Sequence, residues 1–391
     1  MNLLYVSFWG LYDPLSQATV YPNIPPLSRY FNGGKVFVLS VERAGTKRVF
    51  SVEPPRLLNV EYLELKSWGP GYFAKFIDFV WFPIRIIQII KHHKIDFALG
   101  RGAPAGGLIF LASRITRTRY YVESFEPHAD YMLESGVWKR FGLKYLFQKY
   151  LEYGQRATAA GLMTVSNKYR KLLQKVPNSK QPVITVPCIV DLAKFRFKED
   201  RRAAVRADLT IPMEALVGIY VGKFGGIYFD LPDALSVFSA DRLYFGSRFY
   251  LIVLTDLGSD LLFEALINTG ACSDFVRVKF VSNEQVPDYL SASDFGYALI
   301  KPSPSKQYCS PIKVGEYWAN GLPVVMPEGI GDDSVIMSEN NCGCPLNSTT
   351  YDREKLLSII PERERIMMVA RAFRSENLRD NAYDLFFVPR V

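Results

Sequence analysis

Short apolar runs separated by longer stretches of mixed character set the rhythm of this 391-residue chain. In the first half the runs are Leu3–Ser7, Val36–Ser40, Phe97–Gly100, Tyr120–Glu123, Leu162–Ser166 and Val183–Val186. Apolar runs this short, with little polar alternation, predict strands buried on both faces. Between them, Pro26–Phe31, Phe73–His92, Ala105–Ile115, Leu143–Ala157 and Asn167–Lys175 predict helices. Strand–helix alternation builds a parallel sheet with crossover helices, and its ligands gather at the carboxyl ends of the strands. A second series follows, with strands at Val217–Val221, Phe249–Leu254, Val276–Phe280, Phe295–Ala298 and Pro323–Met326. Its helices fall near Asp233–Ala240, Leu261–Asn268, Pro287–Ser291 and Lys313–Ala319, and a charged helical segment runs from Asp352 to about Asn381. The charged residues from Arg196 to Asp208 read as a linker and a solvated helix. The expected fold class is therefore α/β, with two doubly wound domains.

Length agrees with that division, because 391 residues exceed one ordinary core and suit two. Hydrophobic residues make up 49% and charged residues 22%, which excludes long disorder. Five cysteines, Cys188, Cys272, Cys309, Cys342 and Cys344, include no C-x-x-C pair, so neither a zinc site nor a disulfide framework is expected. A reducing cytoplasm is the simplest setting. The net charge of +8 admits nucleic acid, an acidic substrate or an anionic membrane. No basic run or nucleic-acid module supports the first of these.

Met1–Ser7 lacks a basic start and reads as a first strand rather than a leader. The stretch Tyr72 to Ile90 carries Lys75, Asp78, Arg85 and Pro83, which make crossing a membrane costly. Two readings stay open: a helix packed on the sheet, or one with a face on a bilayer. Its Trp and Phe content, followed by Lys91, His92, His93 and Lys94, keeps the second in play.

Residues 310–325 are the most informative. Ser310-Pro311 opens a helix in which Lys313 and Glu316, three apart, share a face. Proline costs nothing at such a start, since its missing N–H would lack a partner there. Gly321 ends the helix, and Leu322-Pro323-Val324-Val325 leads into a buried strand. Free N–H groups at a helix tip favour phosphate, and a carboxylate one turn further in can accept from a ribose diol.

This stretch resembles the nucleotide-binding helix of retaining glycosyltransferases of the GT-B architecture, particularly family four, where the pattern is roughly S-P-x-K-x-x-E-Y-x-A-x-G-x-P-V-V. The resemblance implies two Rossmann-like domains facing each other across a cleft, with the last helix crossing back to the first. The expected division is 1–190 for acceptor binding, 191–212 as linker, 213–365 for the nucleotide sugar and 366–391 as the returning helix. Pro187-Cys188-Ile189-Val190-Asp191 resembles the segment at which such chains leave the first domain, with Ile189 in place of the usual glycine. The implied activity is hexosyl transfer from a nucleoside-diphosphate sugar to a glycan or lipid-linked acceptor, in bacterial surface polysaccharide synthesis. The implied partners exclude nucleic acid and include contact with an anionic membrane, on the inner face of which a cytoplasmic enzyme would sit. No cofactor and no metal are expected, and Asp332-Asp333 is not read as a metal site.

By the same resemblance the donor would be held by Gly222, Lys223, Ser310, Pro311, Ile312, Lys313 and Glu316. Tyr220-Val221-Gly222-Lys223-Phe224-Gly225-Gly226 is a strand running into a glycine-rich loop, where a lysine can neutralise phosphate oxygens. Relatives carry a second lysine a few residues on, where this chain has Ile227-Tyr228-Phe229-Asp230. Lys313 could supply that charge or be a surface residue. The family's first signature glutamate falls on Tyr308, so no side-chain nucleophile is expected. His128, in the loop after Tyr120–Glu123, could donate to a sugar hydroxyl, shuttle a proton, or be a packed or capping histidine. His128 and Lys223 are thus the catalytic candidates. Glu123 and Glu126 are weaker candidates for orienting the acceptor. Ser16 and Gln17 either bond a sugar or cap the next helix. Arg101-Gly102-Ala103-Pro104-Ala105-Gly106-Gly107 reads as close packing rather than a dinucleotide loop. Two rival readings remain: a sugar-nucleotide epimerase of the same architecture, and a catalytically silent partner in a polysaccharide assembly complex.

Overall fold

Continuous apolar strands demand cover on both faces, and the chain meets this with two wholly parallel sheets. The computed structural model describes residues 1–42, 53–69, 71–175, 181–268 and 273–387, so Cys272 lies outside the described residues. The chain forms two units, Met1–Val186 with the segment from Arg379 on, and Pro187–Leu378.

The first unit holds β1 (Leu3–Ser7), β2 (Val36–Glu42), β3 (Val60–Lys66), β4 (Phe97–Arg101), β5 (Arg119–Ser124), β6 (Gly161–Thr164) and β7 (Val183–Thr185). Their order is β3-β2-β1-β4-β5-β6-β7. The second holds β8 (Leu216–Val221), β9 (Phe249–Leu254), β10 (Val276–Lys279), β11 (Phe295–Tyr297), β12 (Val324–Pro327) and β13 (Gly343–Leu346), in the order β10-β9-β8-β11-β12-β13. In each sheet the chain first builds outward on one side and then returns to the other. The reversal falls between β1 and β4 in the first sheet and between β8 and β11 in the second. Such switch points leave a crevice outside the carboxyl ends of the strands.

Two strands were not legible as apolar runs. β3 is an edge strand whose glutamates and lysine face water, and only Leu65 is buried. β13 interrupts its run with Gly343 and Pro345. His128, expected in a loop, instead opens the helix His128–Glu134 behind Pro127. The helix expected as solvated at 196–208 is Glu199–Asp208, and its Arg206 is fully buried. That guanidinium donates to the carbonyls of Ala292, Pro212, Met213 and Ala215 and to Asp294, so the segment is pinned to the second unit.

The last helix, Asn377–Phe387, lays Tyr383, Phe386 and Phe387 on the first sheet. Phe386 stacks on Tyr121 at 4.7 Å, and the Tyr121 hydroxyl donates to the Phe386 carbonyl at 2.6 Å. The turn at 101–107 is close packing: a Cβ at Gly100 would lie 2.7 Å from the Gly106 backbone. Among the described residues, no helix is long and apolar enough to cross a membrane.

Candidate functional site

In the second unit the residues of interest converge on the switch point between β8 and β11. β8 runs into Gly222, and β11 leads through a long loop to the helix Ile312–Ala319. Tyr317 ties the two together. Its hydroxyl donates to the Tyr297 carbonyl at 3.2 Å and accepts from the Val221 amide at 3.1 Å. The Tyr317 ring lies directly on Gly296, where a Cβ would sit 2.6 Å from it. Gly296→Ala is therefore expected to cost about 1–3 kcal/mol by overpacking, read as a lowered urea midpoint with an unchanged slope.

Pro311 caps the helix without a side-chain hydrogen bond to its first turn, so the tip keeps amide donors unclaimed by a capping side chain. At the other end the Leu322 amide bonds the Tyr317 carbonyl and the Gly321 amide bonds the Trp318 carbonyl, both at 2.9 Å. Gly321 has φ +74°, the left-handed conformation this termination requires. Glu316 is only 2% exposed and Lys313 donates to its Oε2 at 2.8 Å. A lysine and a carboxylate one turn into the helix are thus held as a pair beside its tip.

Ser310 is buried, and its Oγ accepts from the Cys188 amide at 3.2 Å and from Arg374. Arg374, fully buried, also pairs with Asp333. Burial pushes the Asp333 carboxyl above its usual range, and the guanidinium opposes that rise. Asp333 is therefore committed to Arg374.

The glycine-rich loop after β8 is stitched to the opposite segment. The Phe229 amide donates to the Leu299 carbonyl and the Lys301 amide to that of Ile227. Gly225 and Gly226 have φ of +82° and +64°, so the loop needs glycine there. Lys223 is 74% exposed and paired with Asp256 at 3.1 Å. The sequence reading missed Lys301, which pairs with Asp230 at 2.6 Å, and Lys306, which is buried in the loop before Ser310. Neither carries a motif that would have singled it out.

In the first unit the other candidates also sit at carboxyl strand ends. Glu123 on β5 is register-paired with Arg101 on β4 and forms an ion pair with it. Arg101 also lies over the Phe125 ring, at 4.8 Å, and was read from sequence only as part of a turn. Glu126 follows in the loop to His128. The His128 ring lies edge-on to Trp138 at 5.8 Å. The next amide, of Ala129, donates to Glu152 Oε1 at 2.8 Å, and burial raises the Glu152 pKa. Ser16 and Gln17 lie in the short helix Pro14–Thr19 that follows β1, and Ser16 is buried.

No protein-family model and no curated protein matches the chain. Solved structures do match over nearly full length. Sucrose-phosphate synthase from Thermosynechococcus elongatus superposes with a TM-score of 0.73 at 13% identity, covering 99% of this chain and 98% of that one. A glycosyltransferase from Rickettsia africae gives 0.69 at 15% identity, covering 100% and 99%. HepE of Anabaena, in complex with UDP and glucose, gives 0.65 at 12% identity, covering 98% of both chains. With two parallel α/β sheets of seven and six strands, these likenesses define a two-domain Rossmann-like GT-B fold.

Proposed function

We propose that this chain is a retaining glycosyltransferase, moving a hexose from a nucleoside-diphosphate sugar to a glycan or lipid-linked acceptor. The setting we propose is assembly of a bacterial surface polysaccharide. One observation carries the reading: a buried carboxylate, Glu316, paired with Lys313 behind a helix tip at the switch point of the second sheet. A carboxylate has lone pairs for several donors, so Lys313 can hold one oxygen while ribose hydroxyls donate to the group. The amides at the Ile312 end of the helix, with Ser310 and Pro311 before it, would face the diphosphate. Gly222 lets the backbone approach closely, and Lys223 would exchange Asp256 for a phosphate oxygen. The similar HepE was solved with UDP, which suits such a donor.

Charge developing on the leaving diphosphate would be met by these amides and lysines, so neither metal nor cofactor is required. With Tyr308 where a carboxylate would approach the sugar, attack from the face of the departing diphosphate accounts for retention without a side-chain nucleophile. His128 is proposed to donate to a donor-sugar hydroxyl. Ser16, Gln17, Glu123 and Glu126 are proposed to orient the acceptor.

Thermal-shift screening against UDP-, GDP-, dTDP- and ADP-sugars tests the reading, followed by transfer and hydrolysis assays. The matching nucleotide at a hundredfold excess over Kd is expected to add about 2.7 kcal/mol of stability. Turnover is expected to survive EDTA. Binding with neither transfer nor hydrolysis would favour the silent partner, and epimerised donor would favour the epimerase. Lys223→Ala is expected to leave Tm unchanged, because exposed ion pairs contribute little. It should weaken the nucleoside diphosphate while sparing the nucleoside, as measured by calorimetry at two salt concentrations.

A further inference from the structure

We propose that the helix Leu143–Thr158 and the loop before it form a docking surface for an anionic lipid bilayer. The helix carries polar groups inward and a large apolar stripe outward. Its inward face sets Gln148, Glu152 and Gln155 beside Leu151 and Gly154, all buried. These polar groups are used internally: Glu152 accepts from the Ala129 amide, and Gln155 donates to the Ala103 carbonyl at 2.9 Å. Its outward face carries Leu143, Leu146, Phe147, Tyr150 and Tyr153, at the three- and four-residue spacing of one helical stripe. Leu143 is 86% and Tyr153 68% exposed. A surface helix in water ordinarily turns such a stripe toward the core.

The apolar surface extends beyond one helix. Phe147 meets Phe79 of the helix Tyr72–His92 edge-on at 5.1 Å, and that neighbour leaves Val80, Trp81 and Ile84 exposed. Exposed Val137 and Phe141 precede the stripe. An apolar area this continuous marks an interaction site.

Charge selects the partner. From Gly136 to Leu151 the chain has no acidic residue and four basic ones, Lys139, Arg140, Lys144 and Lys149. The first three are exposed, and Lys149 is half-buried in its pair with Asp130. Arg140 lies over the Phe141 ring at 5.5 Å, and Arg85 over that of Trp81 at 6.0 Å. Tyrosines, tryptophan and leucines rimmed by cations match the level of headgroups, where aromatic rings bridge polar and apolar layers. Anionic headgroups complete the cations, which a second copy of the same basic patch would repel.

The test is flotation of the whole protein with phosphatidylcholine vesicles that do or do not contain about a third phosphatidylglycerol. Wild type is expected to float only with the anionic vesicles. Leu143→Glu/Leu146→Glu and Lys139→Glu/Arg140→Glu should each lower the bound fraction at least about tenfold. Both should keep the wild-type Tm, since every substituted side chain is exposed. Wild type left in solution at low salt, or unchanged flotation of Leu143→Glu/Leu146→Glu, would overturn the proposal. So would a dimer dissociated by that variant with no vesicle binding, which would assign the face to a second copy. The readout needs no sugar donor, so its failure is distinct from failure of the transferase reading.

Discussion

Replacing Glu316 with alanine is expected to weaken binding of the matching nucleoside diphosphate by roughly a hundredfold, about 3 kcal/mol, since hydrogen bonds to a charged acceptor are lost from a buried position. Two physical features set that size. Glu316 is nearly excluded from water, so water cannot replace it as partner for the diol. Lys313 holds the carboxylate at 2.8 Å, so its orientation is prepaid in the fold. Titration calorimetry with UDP, or whichever diphosphate the screen selects, gives the measurement. Glu316→Gln separates the causes: it keeps an acceptor of similar shape but loses the charge, and should lie between wild type and alanine. Unchanged affinity in both variants would remove the ribose role and with it the central support for sugar transfer.

Replacing Arg374 with leucine is expected to destabilise the second unit by about 3–5 kcal/mol, because it leaves the buried Asp333 carboxylate without its guanidinium. The loss should depend on pH. Burial already raises the folded-state pKa of Asp333, and deleting the cation raises it further. The folded variant then binds a proton more readily than the unfolded chain does. Its stability is fullest below the ordinary aspartate pKa and falls as pH rises toward the raised folded value. Urea titrations of wild type and variant at pH 5 and pH 8 check this; a difference independent of pH would refute the account. Arg374 also donates to Ser310 Oγ, so the variant should loosen the loop that leads to the helix tip. Nucleotide affinity measured where the variant still folds should fall more than for Lys223→Ala.

These two residues illustrate different kinds of legibility. Glu316 was marked by local order: a proline start, a lysine three residues before it, a glycine stop and an apolar strand after it. Every one of those signals acts through neighbours in the chain. Arg374 lies 64 residues from Ser310 and 41 from Asp333, in a helix whose charged pattern reads as surface. No local property distinguishes an arginine that is buried there from one that is not. The same holds for Arg206 and for Arg101, whose partners come from other strands and loops.

The amino-acid sequence by itself determined the alternation of buried strands and helices, the two-domain α/β class and the helix at 312–319, because periodicity and termination depend on residues a few positions apart. Tertiary structure alone decided where the sheets reverse, that Tyr317 fastens the Gly222 loop to the helix, and which charges are buried. It also decided that Leu143–Thr158 buries two glutamines and a glutamate beside Leu151 while Leu143, Leu146, Phe147, Tyr150 and Tyr153 stay exposed. Each of those depends on contacts between distant segments, whose free energy no single stretch of chain carries.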